Sequence, residues 1–212
     1  MARLPLIAKY CDGYVLTGGR SSRMGRDKAL LELDGRTLIE VVAAHVKRAL
    51  GEVTLIGNRD KYSPLGLPVI DDLHPGQGPL AGIETALRHS RKPLVLVVAC
   101  DMPFLNAPFL DALVQIASVA DAEVTVAESV DYAFESLCAV YNQSTLPFVE
   151  AALERGELKV TSLYEKVRVR KLSAEECRPY NPHGVLFSNI NTPQDFELAR
   201  RRFESNAAAA AR

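Results

Sequence analysis

Residues 94–99 read Leu-Val-Leu-Val-Val-Ala, a run with no polar face. A strand that carries apolar side chains on both sides must be covered on both sides. That is the situation of a central strand in a parallel sheet flanked by helices. The rest of the chain supplies the neighbours. Short β-branched runs predict strands at 13–17, 53–56, 68–70, 123–127, 137–141 and 167–169. Longer stretches of helical period predict helices at 37–50, 79–90, 107–117, 147–155 and 193–203. Thr37 and Glu40 stand at capping-box spacing, and Gly51 follows as a stop. The repeated β–α–β order predicts an α/β fold: a Rossmann-like, doubly wound, mostly parallel sheet. At 212 residues one domain is expected, over 1–205, with 206–212 as a fraying tail.

Composition removes several classes of function. The chain carries 25 Lys+Arg against 26 Asp+Glu, for a net charge of −1. A broadly basic nucleic-acid coat is excluded. The longest apolar run, Leu94 to Cys100, is far short of the ~20 residues that span a bilayer. Leu4 to Ala8 before Lys9 is too short for a secretory core, so the expected location is cytoplasmic, with no membrane or nucleic-acid partner. Cys11, Cys100, Cys138 and Cys177 are far apart and form no C-x-x-C, so buried thiols in a reducing compartment are expected. His45, His74, His89 and His183 do not form a metal-ligand set.

In open α/β sheets ligands sit beyond the carboxyl ends of the strands. After the first strand comes Leu16-Thr17-Gly18-Gly19-Arg20-Ser21-Ser22-Arg23-Met24-Gly25-Arg26-Asp27-Lys28. Adjacent glycines let the backbone approach a ligand, and exposed N–H groups in such a turn make an anion nest. Arg20, Arg23, Arg26 and Lys28 add four cations, which suits a triphosphate better than a carboxylate. Neither G-x-x-x-x-G-K-[ST] nor G-x-G-x-x-G is present. Asn58 follows the second strand and has two readings, a ribose contact or a turn asparagine. Asp71 and Asp72 follow the third, and a carboxylate there accepts from a guanine edge, from ribose hydroxyls, or caps a turn. Gly78-Pro79-Leu80-Ala81-Gly82 opens the next helix and brings backbone N–H groups to the same edge. Asp101 follows the most buried strand, where a carboxylate can hold Mg²⁺ through one or two ligands while phosphates complete the octahedron, or can cap the helix near Ala107. Near the C-terminus, Asn189 and Asn191 lie in Ser188-Asn189-Ile190-Asn191-Thr192-Pro193-Gln194-Asp195, which also reads as a helix start.

The order GG-x-S-x-RMG-x-DK at 18–28 resembles the signature loop of the molybdenum cofactor guanylyltransferases, the MobA family. The resemblance extends over about residues 13–200. It is strongest at 13–105, where the aspartate before Gly78–Gly82 favours Asp72 and Cys100-Asp101-Met102-Pro103-Phe104 is similar to the metal-site turn, and again at 188–195. Position 17 departs from it: the family usually has alanine before the paired glycines, and this chain has Thr17.

The resemblance implies a single nucleotide-diphospho-sugar-transferase-like domain. It implies transfer of GMP from GTP to the terminal phosphate of molybdenum-bearing molybdopterin, with release of pyrophosphate. Arg23, Lys28 and Asp101 are the implied catalytic groups, with Asp101 the Mg²⁺ ligand. Leu16, Thr17, Gly18, Gly19, Lys28, Asn58, Asp72, Gly78, Pro79, Leu80, Ala81, Gly82 and Asp101 would line the nucleotide, and Asn189 and Asn191 the pterin. A protein that delivers molybdopterin, or a molybdoenzyme that receives the product, is an expected transient partner. A cytidylyltransferase on the same pterin, another nucleotidyltransferase and a carrier without turnover are the alternatives.

Overall fold

The apolar run is the strand it predicts, and its two faces feed two cores. In the computed structural model, which describes residues 9–17, 27–129 and 132–210 (side chains to Ser205), Leu94–Ala99 is fully buried. Leu94, Leu96 and Val98 point into one cluster and Val95 and Val97 into the other.

In chain order the strands are β1 (Cys11–Leu16), β2 (Glu32–Leu33), β3 (Arg36–Thr37), β4 (Thr54–Ile56), β5 (Val69–Ile70), β6 (Leu94–Ala99), β7 (Val124–Ala127), β8 (Cys138–Asn142) and β9 (Val169–Leu172). The helices are α1 (Leu38–Leu50), α2 (Arg59–Tyr62), α3 (Pro79–His89), α4 (Ala107–Val119), α5 (Leu146–Glu154), α6 (Ala174–Cys177) and α7 (Pro193–Ala210). Seven strands form one sheet in the order β5-β4-β1-β6-β8-β7-β9. Only β8 is reversed, pairing antiparallel with both β6 and β7. β2 and β3 form a separate hairpin.

Helices α1 and α4 cover one face through Ile39, Val42, Val46, Phe109, Leu110 and Leu113. Helices α3 and α5 cover the other through Leu80, Ile83, Leu87, Val149 and Ala152. A third, smaller cluster joins Leu33 of the hairpin to Leu38, Ile190 and Ala199, so α7 closes over the hairpin. The result is a single α/β domain.

The capping box on α1 is complete: the Glu40 N–H donates to Thr37 Oγ1, and the Thr37 N–H donates to Glu40 Oε2 at 2.8 Å. Gly51 ends the helix at φ 83°, a conformation that favours glycine. Besides the reversed β8, the β2–β3 hairpin and the short helices α2 and α6, two elements are displaced from expectation. The last strand is displaced from 167–169 to Val169–Leu172, because Arg170 and Lys171 pair with β7 despite their charge. Helix α7 runs beyond 203 as far as Ala210, through the alanines. All four cysteines are buried and unbridged.

Candidate active site

Four strands end in line. Leu16 lies beside Ala99 on one side and Ile56 on the other, and Ile56 lies beside Ile70. The backbone carries this alignment one residue further. The Cys100 N–H donates to Leu16 O at 3.1 Å, Thr17 N–H to Ile56 O at 3.0 Å, and Gly57 N–H to Ile70 O at 3.0 Å. The residues that follow β1, β4, β5 and β6 are therefore held in one row along the carboxyl edge.

At the β1–β6 end of the row, Lys28 Nζ donates to Asp101 Oδ2 and, at 3.4 Å, to Asn191 Oδ1. Lys28 opens a one-turn 3₁₀ helix (Lys28–Leu30). Asp101 follows β6, and its carbonyl accepts from the Ile190 N–H at 2.9 Å. That bond stitches the C-terminal segment to the turn and brings Asn189 and Asn191 alongside. Asp195 Oδ2 then accepts from the N–H groups of Asn191 and Thr192 at 2.9 and 2.8 Å, so the same residues start α7 and present Asn191 to Lys28. Asp101 is not a helix cap. That task falls to Asn106, whose Oδ1 accepts from the Phe109 N–H. Gly18, Gly19 and Arg23, with Arg20 and Arg26, lie outside the described residues.

Further along the row, Asn58 caps α2 by accepting from the Lys61 N–H at 2.9 Å. Asp72 Oδ1 accepts from the His74 N–H at 3.0 Å and lies 3.2 Å from Thr85 Oγ1, which ties the 71–78 loop to α3. Asp71 instead accepts from the Arg59 N–H. Helix α3 begins at Gly78 (φ 85°) with no side chain capping it, and Pro79 contributes no N–H. The side chains of Leu80 and Ala81 are in the core, so these two residues offer the edge only their backbone. A Cβ on Gly82 would stand 2.9 Å from Leu16 Cδ2, so this glycine serves the contact between α3 and β1.

Thr17 is buried, and its hydroxyl donates to Ile56 O at 2.9 Å. A Cβ on Gly57 would stand only 1.8 Å from Thr17 Oγ1. The threonine that replaces the family's usual alanine thus turns into the sheet end and occupies space that Gly57 leaves.

Asp27, Lys61 and Tyr62 have no separate role assigned by the sequence motifs. Asp27 Oδ1 caps the Lys28–Leu30 turn, accepting from the Ala29 N–H at 3.0 Å. Its Oδ2 accepts from Tyr62 O–H at 2.7 Å and pairs with Lys61 Nζ at 2.5 Å. Burial pushes the Asp27 carboxyl up, but the hydrogen bonds from Lys61, Tyr62 and Ala29 outweigh it and hold it below the ordinary aspartate range. Cys100, beside Asp101, is fully buried, and burial pushes its thiol well up. It is a packing residue, not a nucleophile.

Among the described residues no three His, Cys, Asp or Glu side chains cluster as a metal site. Asp101 offers a hard oxygen donor next to a lysine. That fits Mg²⁺, which is commonly bound by one or two carboxylates plus substrate phosphates and waters. One cleft lies beyond the ends of β7 and β9, lined by Glu128, Ser129, Cys177, Asn181, Phe187 and Ser188, and another is lined by Phe104, Ser188, Asn189, Ile190 and Asp195.

Residues 13–171 match the model of the MobA-like NTP transferase domain. The chain belongs to this family. Its MobA-like relatives span nearly the whole of it. A probable molybdenum cofactor guanylyltransferase of Carboxydothermus hydrogenoformans is 38% identical over 189 residues, 89% of this chain and 94% of the relative. The molybdenum cofactor guanylyltransferase of Desulfosudis oleivorans is 33% identical over 88% of this chain and 93% of its own length. The crystal structure of molybdopterin-guanine dinucleotide biosynthesis protein A from Archaeoglobus fulgidus superposes with a TM-score of 0.81 at 30% identity, covering 92% of this chain and 99% of that one. The MobA-like fold of this chain is thus the nucleotide-diphospho-sugar-transferase fold. No helix among its described residues is long and apolar enough to cross a membrane.

Proposed function

We propose that this MobA-like protein is a molybdenum cofactor guanylyltransferase. It joins GMP from GTP to the terminal phosphate of molybdenum-bearing molybdopterin, giving molybdopterin guanine dinucleotide and pyrophosphate. The observation that carries this reading is the Lys28–Asp101–Asn191 group at the level ends of β1 and β6, in a chain whose relatives bear that name.

The attacking group is a phosphate oxygen that is already an anion. A bond forms from it to the α-phosphorus of GTP, and the bond from that phosphorus to the β-phosphate oxygen breaks. No proton has to be removed from the nucleophile, so the protein's task is alignment and charge neutralisation. Lys28 supplies a positive charge where the triphosphate would lie. Thr17 contributes backbone, and the Gly78–Ala81 helix start offers N–H groups to the nucleotide. Asp72 and Asn58 stand over the ends of β5 and β4, on the nucleoside side. Gly18, Gly19 and Arg23 complete the phosphate cradle in this reading.

Asp101 would hold Mg²⁺, which neutralises phosphate charge as a Lewis acid when bound. Asn189 lines a cleft with Ser188 and Asp195, and in this reading its amide and that of Asn191 meet the donor–acceptor edge of a pterin on the acceptor side. The four unbridged cysteines agree with a cytoplasmic setting. A protein that hands over molybdopterin or takes the product would meet the enzyme at this acceptor side.

Pyrophosphate release with molybdenum-loaded molybdopterin and Mg²⁺, run separately with GTP, CTP, ATP and UTP, tests the reading. Release with GTP alone is expected. Release chiefly with CTP would make the protein a cytidylyltransferase, and silence with all four would leave a binding protein without turnover.

A further inference from the structure

Tyr62 is a buried side chain on the short helix α2, and no motif points to it. Its hydroxyl reaches both sides of the glycine-basic loop. It donates to Asp27 Oδ2 at 2.7 Å, immediately after the loop, and lies 3.4 Å from Thr17 O, immediately before it. Asp27 is the residue that caps the turn on which Lys28 rides, and Lys28 is the residue that meets Asp101. An unbroken path therefore runs from the Tyr62 hydroxyl, through one carboxylate and one capped turn, to the ammonium group at the centre of the site.

The ring is buried and lies close to Gly57. A Cβ on Gly57 would stand 3.1 Å from Tyr62 Cε2, so the strand end passes directly against it. A buried ring restricts where its hydroxyl lies, and that hydroxyl joins Lys61 and the Ala29 N–H in restraining the Asp27 carboxylate.

We propose that Tyr62 is a positioning residue for Lys28. It touches no reacting atom. By anchoring Asp27 it sets where the Lys28 ammonium stands relative to Asp101, and hence relative to the phosphates. This rests on the guanylyltransferase reading for its consequence in turnover, but its geometric half stands apart from that reading. A misplacement of about 1 Å in a charge-stabilising group is worth up to about a hundredfold in rate.

Two measurements on Tyr62→Phe, which removes only the hydroxyl, test it. In steady-state pyrophosphate release, kcat should fall at least tenfold while KM for GTP moves less than threefold. In competitive acylation with trace acetic anhydride, read peptide by peptide, Lys28 should react at least threefold faster, with the α1 residue Lys47 as the unchanged internal standard. Asp27→Asn should give the same two signatures. The Tyr62→Phe/Asp27→Asn double variant should be no worse than Asp27→Asn alone, because both act through one contact. Wild-type kcat in Tyr62→Phe, or a fall in kcat with Lys28 reactivity unchanged, overturns the proposal. A wild-type protein that releases no pyrophosphate counts against the reaction instead, and the acylation rates then decide the role of Tyr62 by themselves.

Discussion

Two lysine–aspartate pairs lie next to each other in this protein, and they are built differently. Lys61–Asp27 is a closed pair. The same carboxylate takes the Tyr62 hydroxyl and the Ala29 N–H, so its oxygens are occupied by the protein. Lys28–Asp101 is an open pair. Among the described residues the Asp101 carboxylate is engaged through Oδ2 and not Oδ1, and Lys28 reaches on to Asn191 at 3.4 Å. Identical chemistry is thus used once to hold a turn and once to face a ligand. What separates the two is how many of the carboxylate's acceptor positions the fold itself fills.

The sharpest way to break this contrast is at the open pair. Lys28→Ala or Asp101→Ala should lower kcat by about 10²–10³, the cost of removing one charge-stabilising group, with little change in melting temperature. At the closed pair the balance reverses. Asp27→Ala should cost about 2–3 kcal/mol in chemical denaturation, since it removes a cap and leaves two buried-side donors without an acceptor. That stability should also depend on pH. The folded Asp27 carboxyl sits below its unfolded value of about 3.9, so its contribution is complete above that pH and fades as pH falls through the lower folded value. Denaturation curves of wild type and Asp27→Asn should therefore converge toward acid pH, and curves that stay parallel would mean that the pairing is not what depresses the group. Gly57→Ala, which wedges a methyl group between Thr17 and Tyr62, should cost about 2 kcal/mol as an overpacked site, and Thr17→Ala in the same chain should recover most of it. The smallest effect belongs to Lys61→Ala. The lysine is 45% exposed, so its loss should cost under about 1 kcal/mol and less in high salt.

The doubly wound frame was legible because its elements obey simple periods. The run at 94–99 and the Thr37–Glu40 box are local patterns with one structural solution each. The direction of β8 was not legible, because period-2 burial is the same whichever way a strand runs. The hairpin Glu32–Thr37 and the helices α2 and α6 were too short for any period to show. In the candidate site, Lys28 and Asp101 stood out because each sits in a motif that follows a strand, and the fold brings their side chains together. The capping duties of Asn58 and Asp72 were foreseeable as types and not as facts, since a turn residue and a ligand residue share the same chemistry. Tyr62 carried no sign at all. Its importance comes from meeting Asp27 and Thr17 across a distance in sequence that only the fold closes.

Thr17 and Gly57 also constrain the order in which this chain can change. Replacing Thr17 by alanine first removes the hydroxyl that a side chain at 57 would meet, so that path avoids the clash. Taken in the reverse order, the substitution at 57 meets the threonine hydroxyl at 1.8 Å, and the intermediate is the strained one. A side chain turned into the sheet end thereby acts as a latch on the history of its neighbour: while threonine stays, any side chain at position 57 carries a penalty.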